Sequence, residues 1–264
     1  MQLIRSSPEF RRRVVHTRDL LRAMLVRETK LRYERSALGI VWALLNPLAQ
    51  ILIFTFVFKV IFKLDIPNYP AFLFTGILVW NWFREAITAS AESITNNRDL
   101  LRQPGFPLAV LPAVAVAVPL IDLLAGLPVL VVFILANGGG LTPTFFLLPV
   151  LIALQFLLVL GMGFLLAGLH VTFRDIGHLL GVALMMLFYL TPVFYSMDMV
   201  PDSLHSVYVL NPIVHFMVSY RRILLEGLMP DWWALAAIAV FAGLLLRIGW
   251  TFFVRAQFTF EEEL

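Results

Sequence analysis

The sequence contains six long apolar runs, and these limit the possible folds more than any other feature. A helix of about 20 mainly apolar residues is needed to cross the hydrocarbon core of a bilayer. Inside lipid the backbone must satisfy its own hydrogen bonds, which a helix does within a single segment. We therefore predict an all-α integral membrane protein with six transmembrane helices. The predicted spans are residues 40–62, 71–94, 108–135, 145–171, 179–197 and 232–254.

The composition supports this class and excludes some chemistry. Hydrophobic residues make up 60% of the chain and charged residues only 14%, whereas a soluble domain carries roughly 25% charged residues. The chain has no cysteine, which excludes disulfides, thiolate metal ligands and a cysteine nucleophile. No cleavable signal peptide is predicted, because the first apolar run is long enough to remain in the membrane.

Basic residues near the ends of the spans predict the orientation. Residues 1–39 carry ten basic and four acidic residues, and cytoplasmic segments are usually enriched in Lys and Arg. Both termini are therefore predicted to lie in the cytoplasm. Arg221 and Arg222 are the one conflict, because they fall in an outer connection, although that connection is net acidic.

The segment before the first span, residues 1–39, is predicted as a cytoplasmic amphipathic helix, followed by a transmembrane domain at 40–264. One face of this helix is predicted to carry Leu20, Leu21, Met24, Leu25 and Leu31, and charged residues occupy the other. A basic helix of this kind lies in the membrane interface. The simpler alternative is an anchor that only orients the chain. Residues 36–39 are expected to form a turn, for which Gly39 supplies a permissive backbone.

Asn46 and Pro47 interrupt the first span. A proline inside a helix removes one backbone donor and crowds the carbonyl four residues earlier, so a bend is expected here. The amide of Asn46 is able to satisfy a backbone group that the bend frees. This bend is either part of a gate or an ordinary proline kink.

Arg84 and Glu85 lie inside the second span. The apolar stretch before them, residues 71–83, is about 20 Å long as a helix, which is too short for roughly 30 Å of hydrocarbon. The helix must therefore carry both charges into the inner half of the bilayer. Adjacent helical residues do not face each other, so each charge needs another partner. The pair either lines a polar conduit or snorkels near a helix end.

Asp122 is a lone carboxylate in the third span. Acidic residues inside membranes often mark ion or proton pathways. One acid does not make a relay, however, and no basic residue lies near it in that span. Pairing with a neighbouring helix, or exposure to water at a kink, is therefore favoured over proton coupling.

Two connections are predicted to be more than simple loops. Residues 95–107 form a polar link in which Thr95, Asn96 or Asn97 is expected to cap a short helix. Residues 198–231 are too apolar for a free loop and favour two short helices that dip into the outer leaflet. Arg221, Arg222 and Glu226 in this outer segment are expected at the interface or facing water, because charges are costly in hydrocarbon.

Motifs for nucleotide, metal or acyl chemistry are absent from the sequence. It has no G-x-x-x-x-G-K-[ST] pattern, so ATP binding through a P-loop is not predicted. It also lacks H-E-x-x-H and G-x-S-x-G. The five histidines show no metal-ligand spacing. We therefore predict no catalytic residue, no metal and no cofactor in this chain.

Four ordered sequence blocks carry a resemblance to a known family. Over nearly its whole length the chain resembles the membrane permease subunit of ABC-type polysaccharide exporters. The blocks lie at 18–48 (RDLL…RETKLRYERSALGIVWALLNPL), 97–107 (NRDLLRQPGFP), 173–201 (FRDIGHLLGVALMMLFYLTPVFYSMDMVP) and 210–227 (LNPIVHFMVSYRRILLEG). No single block is specific enough alone, but four in order within a six-span frame are.

This resemblance implies partners and a direction of transport. The permease is expected to form a homodimer in the bacterial inner membrane, with two copies of a P-loop ATPase that bind ATP and Mg. The expected substrate is an undecaprenyl-linked polysaccharide of O-antigen, teichoic acid or capsule type, moved outward from the cytoplasm. No nucleic-acid partner is expected.

Three groups of residues are predicted to carry the function. A coupling helix that contacts the ATPase is implied at Asn96, Asn97, Arg98, Asp99, Leu100, Leu101 and Arg102. A translocation path needs replaceable hydrogen bonds and flat rings, and its candidates are Trp42, Asn46, Trp82, Arg84, Glu85 and Tyr195. An outer gate segment is implied at Asn211, His215, Tyr220, Arg221, Arg222 and Glu226.

Three alternative functions remain open from the sequence. A permease of the same fold that exports a small lipid or drug would need a narrower conduit. An integral membrane glycosyl- or acyltransferase would need a polar catalytic cluster, and the only carboxylate cluster is Glu261–Glu263 in the tail. A proton-coupled carrier would depend on Asp122.

Overall fold

The computed structural model describes residues 8–34, 41–103 and 105–260, and within these ranges the chain is helical without a strand. This confirms the predicted all-α class. The predicted turn at 36–39 and the tail cluster Glu261–Glu263 lie outside the described residues. The α-helices are α1 (Pro8–Tyr33), α2 (Val41–Thr55), α3 (Tyr69–Glu92), α4 (Arg98–Leu101), α5 (Val110–Ala117), α6 (Leu120–Ala136), α7 (Leu148–Thr172), α8 (Ile176–Tyr189), α9 (Asp202–Val209), α10 (Pro212–Arg221) and α11 (Trp232–Ala256).

Four helical segments among the described residues are long and apolar enough to cross a membrane. They are Leu44–Ile61, Val110–Ala136, Pro143–Thr172 and Trp232–Ala256, and they coincide with the predicted first, third, fourth and sixth spans. The predicted second span forms α3, whose 24 residues reach about 36 Å but include the polar residues Asn81, Arg84 and Glu85. The predicted fifth span forms only the 14-residue α8.

Helix α3 lies at the centre of the bundle. It packs against α7, α6, α5, α2, α8 and α10, and its large side chains Phe74, Trp82 and Phe83 are almost fully buried. A helix that is apolar around most of its circumference belongs in a core. Several polar residues of α3, among them Asn81, Arg84 and Glu85, line cavities between the helices.

Helices α7 and α11 make the closest helix pairing, and two glycines allow it. A Cβ atom on Gly249 would lie 2.2 Å from the carbonyl oxygen of Gly161, and one on Gly161 would lie 2.7 Å from the backbone nitrogen of Leu246. Small residues at such crossings let the backbones of membrane helices approach closely.

The apolar face of α1 packs on protein. Met24 is buried, and Leu20, Leu21 and Leu25 pack around it in a cluster that includes residues of α4, α5 and α11. The predicted amphipathic face is thus used to attach α1 to the bundle. Leu31 is predicted to share this face, but it is 48% exposed and does not pack in this cluster.

The connection at 198–231 contains the two predicted short helices, α9 and α10. A π-helical turn, Arg222–Glu226, continues α10, and another, Phe56–Ile61, continues α2. Helix α10 buries Ile213, Phe216 and Met217 against the bundle core.

Candidate functional site

A polar cavity of about 270 Å³ lies between the C-terminal end of α1, α2, α3 and the junction of α5 with α6. It is unusual in a bundle that is otherwise packed with apolar side chains. Its lining residues are Arg32, Tyr33, Trp42, Asn46, Pro47, Gln50, Leu78, Asn81, Trp82, Arg84, Glu85, Pro119, Asp122 and Leu123. Five of the six predicted path residues therefore share one cavity.

An ionic cluster forms one wall of this cavity. The guanidinium of Arg32 donates to Glu85 and lies 2.6 Å from Asp122, measured from Nη2 to Oδ2. The hydroxyl of Tyr33 donates to the same carboxylate of Asp122. Asp122 is thus paired with a neighbouring helix, as predicted, and each carboxylate has a partner that reduces the cost of burial.

The protonation of Tyr33 follows from its surroundings. Burial raises the pKa of the Tyr33 phenol above its ordinary value, and the hydrogen bond to Asp122 raises this pKa further. The phenol is therefore protonated at neutral pH, and it can only donate to the Asp122 carboxylate.

Arg84 and Glu85 make only a long ion contact with each other, 3.7 Å from Nη2 to Oε1. Adjacent residues on a helix do not face each other, so Glu85 was expected to need another partner. That partner is Arg32 of α1. Arg84 is half exposed, and its side chain has no hydrogen bond among the described residues.

Helix α2 presents a stripe of side chains at four-residue spacing to the cavity. Trp42, Asn46 and Gln50 follow one another at steps of about 6 Å along the helix. The amides of Asn46, Gln50 and Asn81 form no hydrogen bond to any described residue. Gln50 and Asn81 were missed by the sequence analysis, although the four-residue spacing from Trp42 and Asn46 would have found Gln50.

The cavity shares walls with two others. Arg32 and Pro119 also line a cavity of about 440 Å³ beneath α1, together with Glu28 and Asn96. Gln50, Asn81 and Arg84 also line a cavity of about 480 Å³ between α2, α3 and α8. Polar side chains therefore separate the central cavity from a groove between α2 and α8.

A cluster of aromatic rings lies beside the α2–α8 groove and packs against Phe54 and Phe188 of its lining. The Phe58 and Phe194 rings stack with centroids 4.8 Å apart, and Phe194 also contacts Tyr195 at 5.0 Å. The Tyr195 hydroxyl lies 2.8 Å from that of Tyr208 and donates to the carbonyl of Tyr189. Tyr195 thus lies in this aromatic cluster, apart from the other five predicted path residues.

The predicted coupling segment is a short helical connection between α3 and α5. A 3₁₀ turn covers Thr95–Asn97 and leads into α4. The predicted side-chain cap of this helix is wrong, because its N-cap residue Asn97 bonds the carbonyl of Ser93 instead. Leu101 is buried and Leu100 partly buried, while the side chains of Asn96, Arg98, Asp99 and Arg102 are exposed.

In the outer segment, Arg221 lies inside the protein and is only 4% exposed. Its guanidinium donates to the carbonyls of Pro192 at 2.6 Å, Val193 at 2.7 Å and Tyr195 at 3.5 Å. It also lies over the Phe72 ring, 3.4 Å from the centroid. Arg221 was expected at the interface or facing water, and its burial shows that exposure to water is wrong. The backbone carbonyls beyond the end of α8 are not bonded within a helix, so they accept hydrogen bonds from the Arg221 guanidinium in place of water.

The other outer residues have more ordinary surroundings. The Asn211 side chain caps α10 by accepting from the backbone nitrogen of Ile213 at 3.0 Å and donates to Thr191. His215 contacts the carbonyl of Val209 at 2.8 Å. Tyr220 is buried, Arg222 is partly exposed, and Glu226 is exposed, as predicted for that residue.

Comparisons with known proteins identify the family. A family profile described as ABC-2 type transporter matches residues 19–225. The O-antigen export system permease protein RfbA of Myxococcus xanthus is 35% identical over 255 residues, which cover 96% of this chain and 98% of that protein. A Klebsiella pneumoniae protein of the same name is 30% identical over 248 residues, or 92% and 94% of the two chains.

A more distant relative comes from capsule export. The polysialic acid transport protein KpsM of Escherichia coli is 25% identical over 230 residues, which cover 86% of this chain and 89% of that protein. These relatives confirm the resemblance carried by the four sequence blocks. The chain belongs to the ABC-2 type transporter family of membrane proteins.

Proposed function

We propose that the chain is the membrane-spanning permease of an ATP-driven exporter, which moves a lipid-linked polysaccharide outward across the bacterial inner membrane. The similarity to an O-antigen export permease over 96% of this chain and 98% of that protein carries the proposal. The substrate is of O-antigen, teichoic acid or capsule type. Among the described residues, four helical segments are long and apolar enough to span a membrane. Together with a sequence that has no P-loop, they fit a permease that relies on another subunit for ATP.

The proposed topology has six crossings with both termini in the cytoplasm. Helix α3 is long enough for a crossing, and its central position surrounds its polar residues with protein. Helix α8 completes its crossing with the residues up to 197, and α9 and α10 then form a re-entrant pair. The excess of basic residues in 1–39 supports the cytoplasmic position of α1.

The proposed assembly is a permease homodimer with two copies of a P-loop ATPase, which binds ATP and Mg. The segment 95–107 is the docking site for the ATPase. Buried Leu101 fastens this segment to the bundle, while exposed Arg98 and Asp99 are free to contact a partner. A push on α4 is thereby transmitted to the core around α5.

The proposed conduit lies along the groove between α2 and α8. A glycan loses many hydrogen bonds to water when it enters the membrane, so its path must offer replacements. Polar Gln50, Asn81 and Arg84 line one end of this groove, and the ring of Phe188 lines the other. Exposed apolar side chains on the outer faces of α2 and α8, such as Leu52 and Met186, are available to pack against a second subunit.

The proposed outer gate is the segment from Asn211 to Glu226. Arg221 fastens α10 to the chain beyond α8, so these two elements are expected to move as one body. A displacement of α8 would then displace the outer helices with it.

The test is ATP hydrolysis by the chain reconstituted with its ATPase. A lipid-linked glycan from the source organism should raise the hydrolysis rate, and deletion of the gene should remove the surface glycan. Stimulation by small lipids or drugs alone, with surface glycan unchanged, would instead identify a small-molecule exporter of the same fold. Transferase activity in the purified chain without any ATPase would contradict the proposal.

A further inference from the structure

Three amide side chains that have no hydrogen-bond partner among the described residues face the central cavity. Asn46 and Gln50 come from α2 and Asn81 from α3. Each amide carries two N–H donors and one carbonyl acceptor, and none is bonded within the described part of the chain. Polar groups on apolar membrane helices are costly unless something satisfies them. Water can satisfy these amides when the cavity holds no ligand, so a ligand that displaces this water must itself offer hydrogen-bonding groups.

The charges of the cavity indicate a neutral occupant. Arg32 and Arg84 balance Glu85 and Asp122, so the lining has no net charge. Arg32 is already engaged by both carboxylates. A phosphate would have to displace a carboxylate to reach Arg32. At Arg84 it would meet the Glu85 carboxylate, whose Oε1 lies 3.7 Å from Nη2, and a cation would meet two arginines. An uncharged molecule with many hydroxyls avoids both conflicts.

The volume of the cavity and the exposed ring of Trp42 indicate that the ligand is a single sugar-sized ring. The volume of about 270 Å³ falls just below the range of roughly 300–1,000 Å³ that holds drug-sized ligands. Trp42 is 53% exposed and offers a flat apolar surface next to the amides. Trp82 is buried and donates its indole N–H to the carbonyl of Val116, so it serves as a fixed wall.

We propose that the central cavity is a binding subsite for one uncharged sugar ring, which stacks on Trp42 and bonds to Asn46, Gln50 and Asn81. This subsite deepens the proposed function and rests on it, because the exported glycan supplies the ring. It is separate from the α2–α8 groove, whose lining residue Phe54 packs against the aromatic rings of Phe58 and Phe194. The shared wall of Gln50, Asn81 and Arg84 is where a ring passes between groove and cavity.

The experiment measures the binding of free sugars to the whole complex in nanodiscs. The probes are glucose, galactose, mannose and N-acetylglucosamine at millimolar concentration, followed by saturation-transfer NMR. At least one should receive saturation from the wild-type complex. The Asn46→Leu/Asn81→Leu double variant should weaken binding about tenfold or more, because at least two hydrogen bonds are lost.

A control variant localises the site. Asn137→Leu changes an exposed amide that only bonds its own helix and lies outside the cavity, so it should keep sugar binding. Thermal unfolding of each variant checks its folding, and the single variant Gln50→Met replaces the double variant if that one does not fold. Unchanged binding in the folded cavity variants, or no binding by wild type, would overturn the subsite.

The subsite and the proposed function fail in different ways. If a lipid-linked glycan stimulates ATP hydrolysis but free sugars do not bind the cavity, the subsite is wrong and the exporter function stands. If sugars bind through the three amides but no lipid-linked glycan stimulates hydrolysis, the subsite stands and the exporter function is wrong.

Discussion

Arg32 Nη2 lies 2.6 Å from Asp122 Oδ2, so the last turn of α1 is joined directly to the first turn of α6. The same guanidinium donates to Glu85 of α3. One side chain therefore connects three helices that are far apart in sequence. It also forms the wall between the cavity beneath α1 and the central cavity. Movement of α1 is thereby linked to the shape of the proposed sugar subsite.

Arg32→Ala should destabilise the protein, because it leaves two neighbouring carboxylates without their cation. The Arg32 side chain keeps 33% exposure, so we expect a loss of about 1–3 kcal/mol rather than the larger loss of a fully buried pair. Thermal unfolding in detergent measures this loss. Addition of Asp122→Asn should restore part of it, because the repulsion between the carboxylates is then removed.

The matched control for this prediction is Arg27→Ala on the same helix. Arg27 is 59% exposed and only approaches Glu28 at 4.0 Å, so its loss should change the melting temperature very little. Equal melting temperatures for the Arg32 and Arg27 variants would show that the cluster does not stabilise the fold.

Tyr33→Phe should make the protein lose less stability than wild type as the pH rises above about 10. The pKa of the Tyr33 phenol is raised in the folded protein by burial and by the bond to Asp122, so above pH about 10 the unfolded chain loses this proton first. Stability from this group is therefore present below pH 10 and declines as the pH rises further. Melting temperatures of wild type and variant between pH 7 and 11 measure the difference. Parallel curves would mean that Tyr33 does not titrate as described.

Arg221→Met should cost about 3 kcal/mol, because it leaves backbone carbonyls in the core without a donor. The bonds to Pro192 and Val193 and the contact with Phe72 are lost together. The control is Arg222→Met at the next, partly exposed position. Thermal unfolding compares the two, and an Arg222 variant as unstable as the Arg221 variant would contradict the buried role of Arg221.

The sequence predicted the helices well because hydrophobicity and helical spacing are local. It also placed Trp42, Asn46, Trp82, Arg84 and Glu85 in one group, which the helices bring together at one cavity. The fifth predicted span is only partly helical, because the residue before Pro192 is disfavoured in a helix and α8 ends at Tyr189. That early end leaves Tyr195 in the chain beyond α8, among other aromatic rings.

Long-range partners were beyond sequence reasoning. The cost of burying Asp122 indicated that it needs a partner, but Arg32 lies 90 positions away and belongs to another helix. The partners of Arg221 could not be found from the sequence either. Its charge indicated a position at the interface or in water, and only the fold reveals the backbone carbonyls that accept its hydrogen bonds.

Gly249→Ala should destabilise the pairing of α7 with α11. The new methyl group would lie 2.2 Å from the carbonyl oxygen of Gly161, so the two backbones must separate. Gly243→Ala on the same helix is the control, because a Cβ there meets nothing within 4 Å. That variant should be neutral or more stable by up to about 1 kcal/mol, since alanine favours a helix. Melting temperatures of the two variants should therefore move in opposite directions or differ clearly.

Replacement of Arg98 and Asp99 by alanine should lower export more than it lowers the amount of permease in the membrane. Both side chains are exposed on α4, and Arg98 bonds only the carbonyl of Thr95 within the described residues, so their loss should cost little stability. Their proposed role is contact with the ATPase. Surface glycan and permease abundance are measured in the same cells, together with co-purification of the ATPase.

The control for the coupling segment is Leu101→Ala, which removes a buried side chain beneath α4. This variant should lower abundance and export together, because a truncated core residue costs about 2–5 kcal/mol. The Arg98/Asp99 variant should instead keep its abundance and lose the ATPase during purification. If both variants lose export only in proportion to abundance, the exposed charges of α4 contribute to folding and do not form the contact with the ATPase.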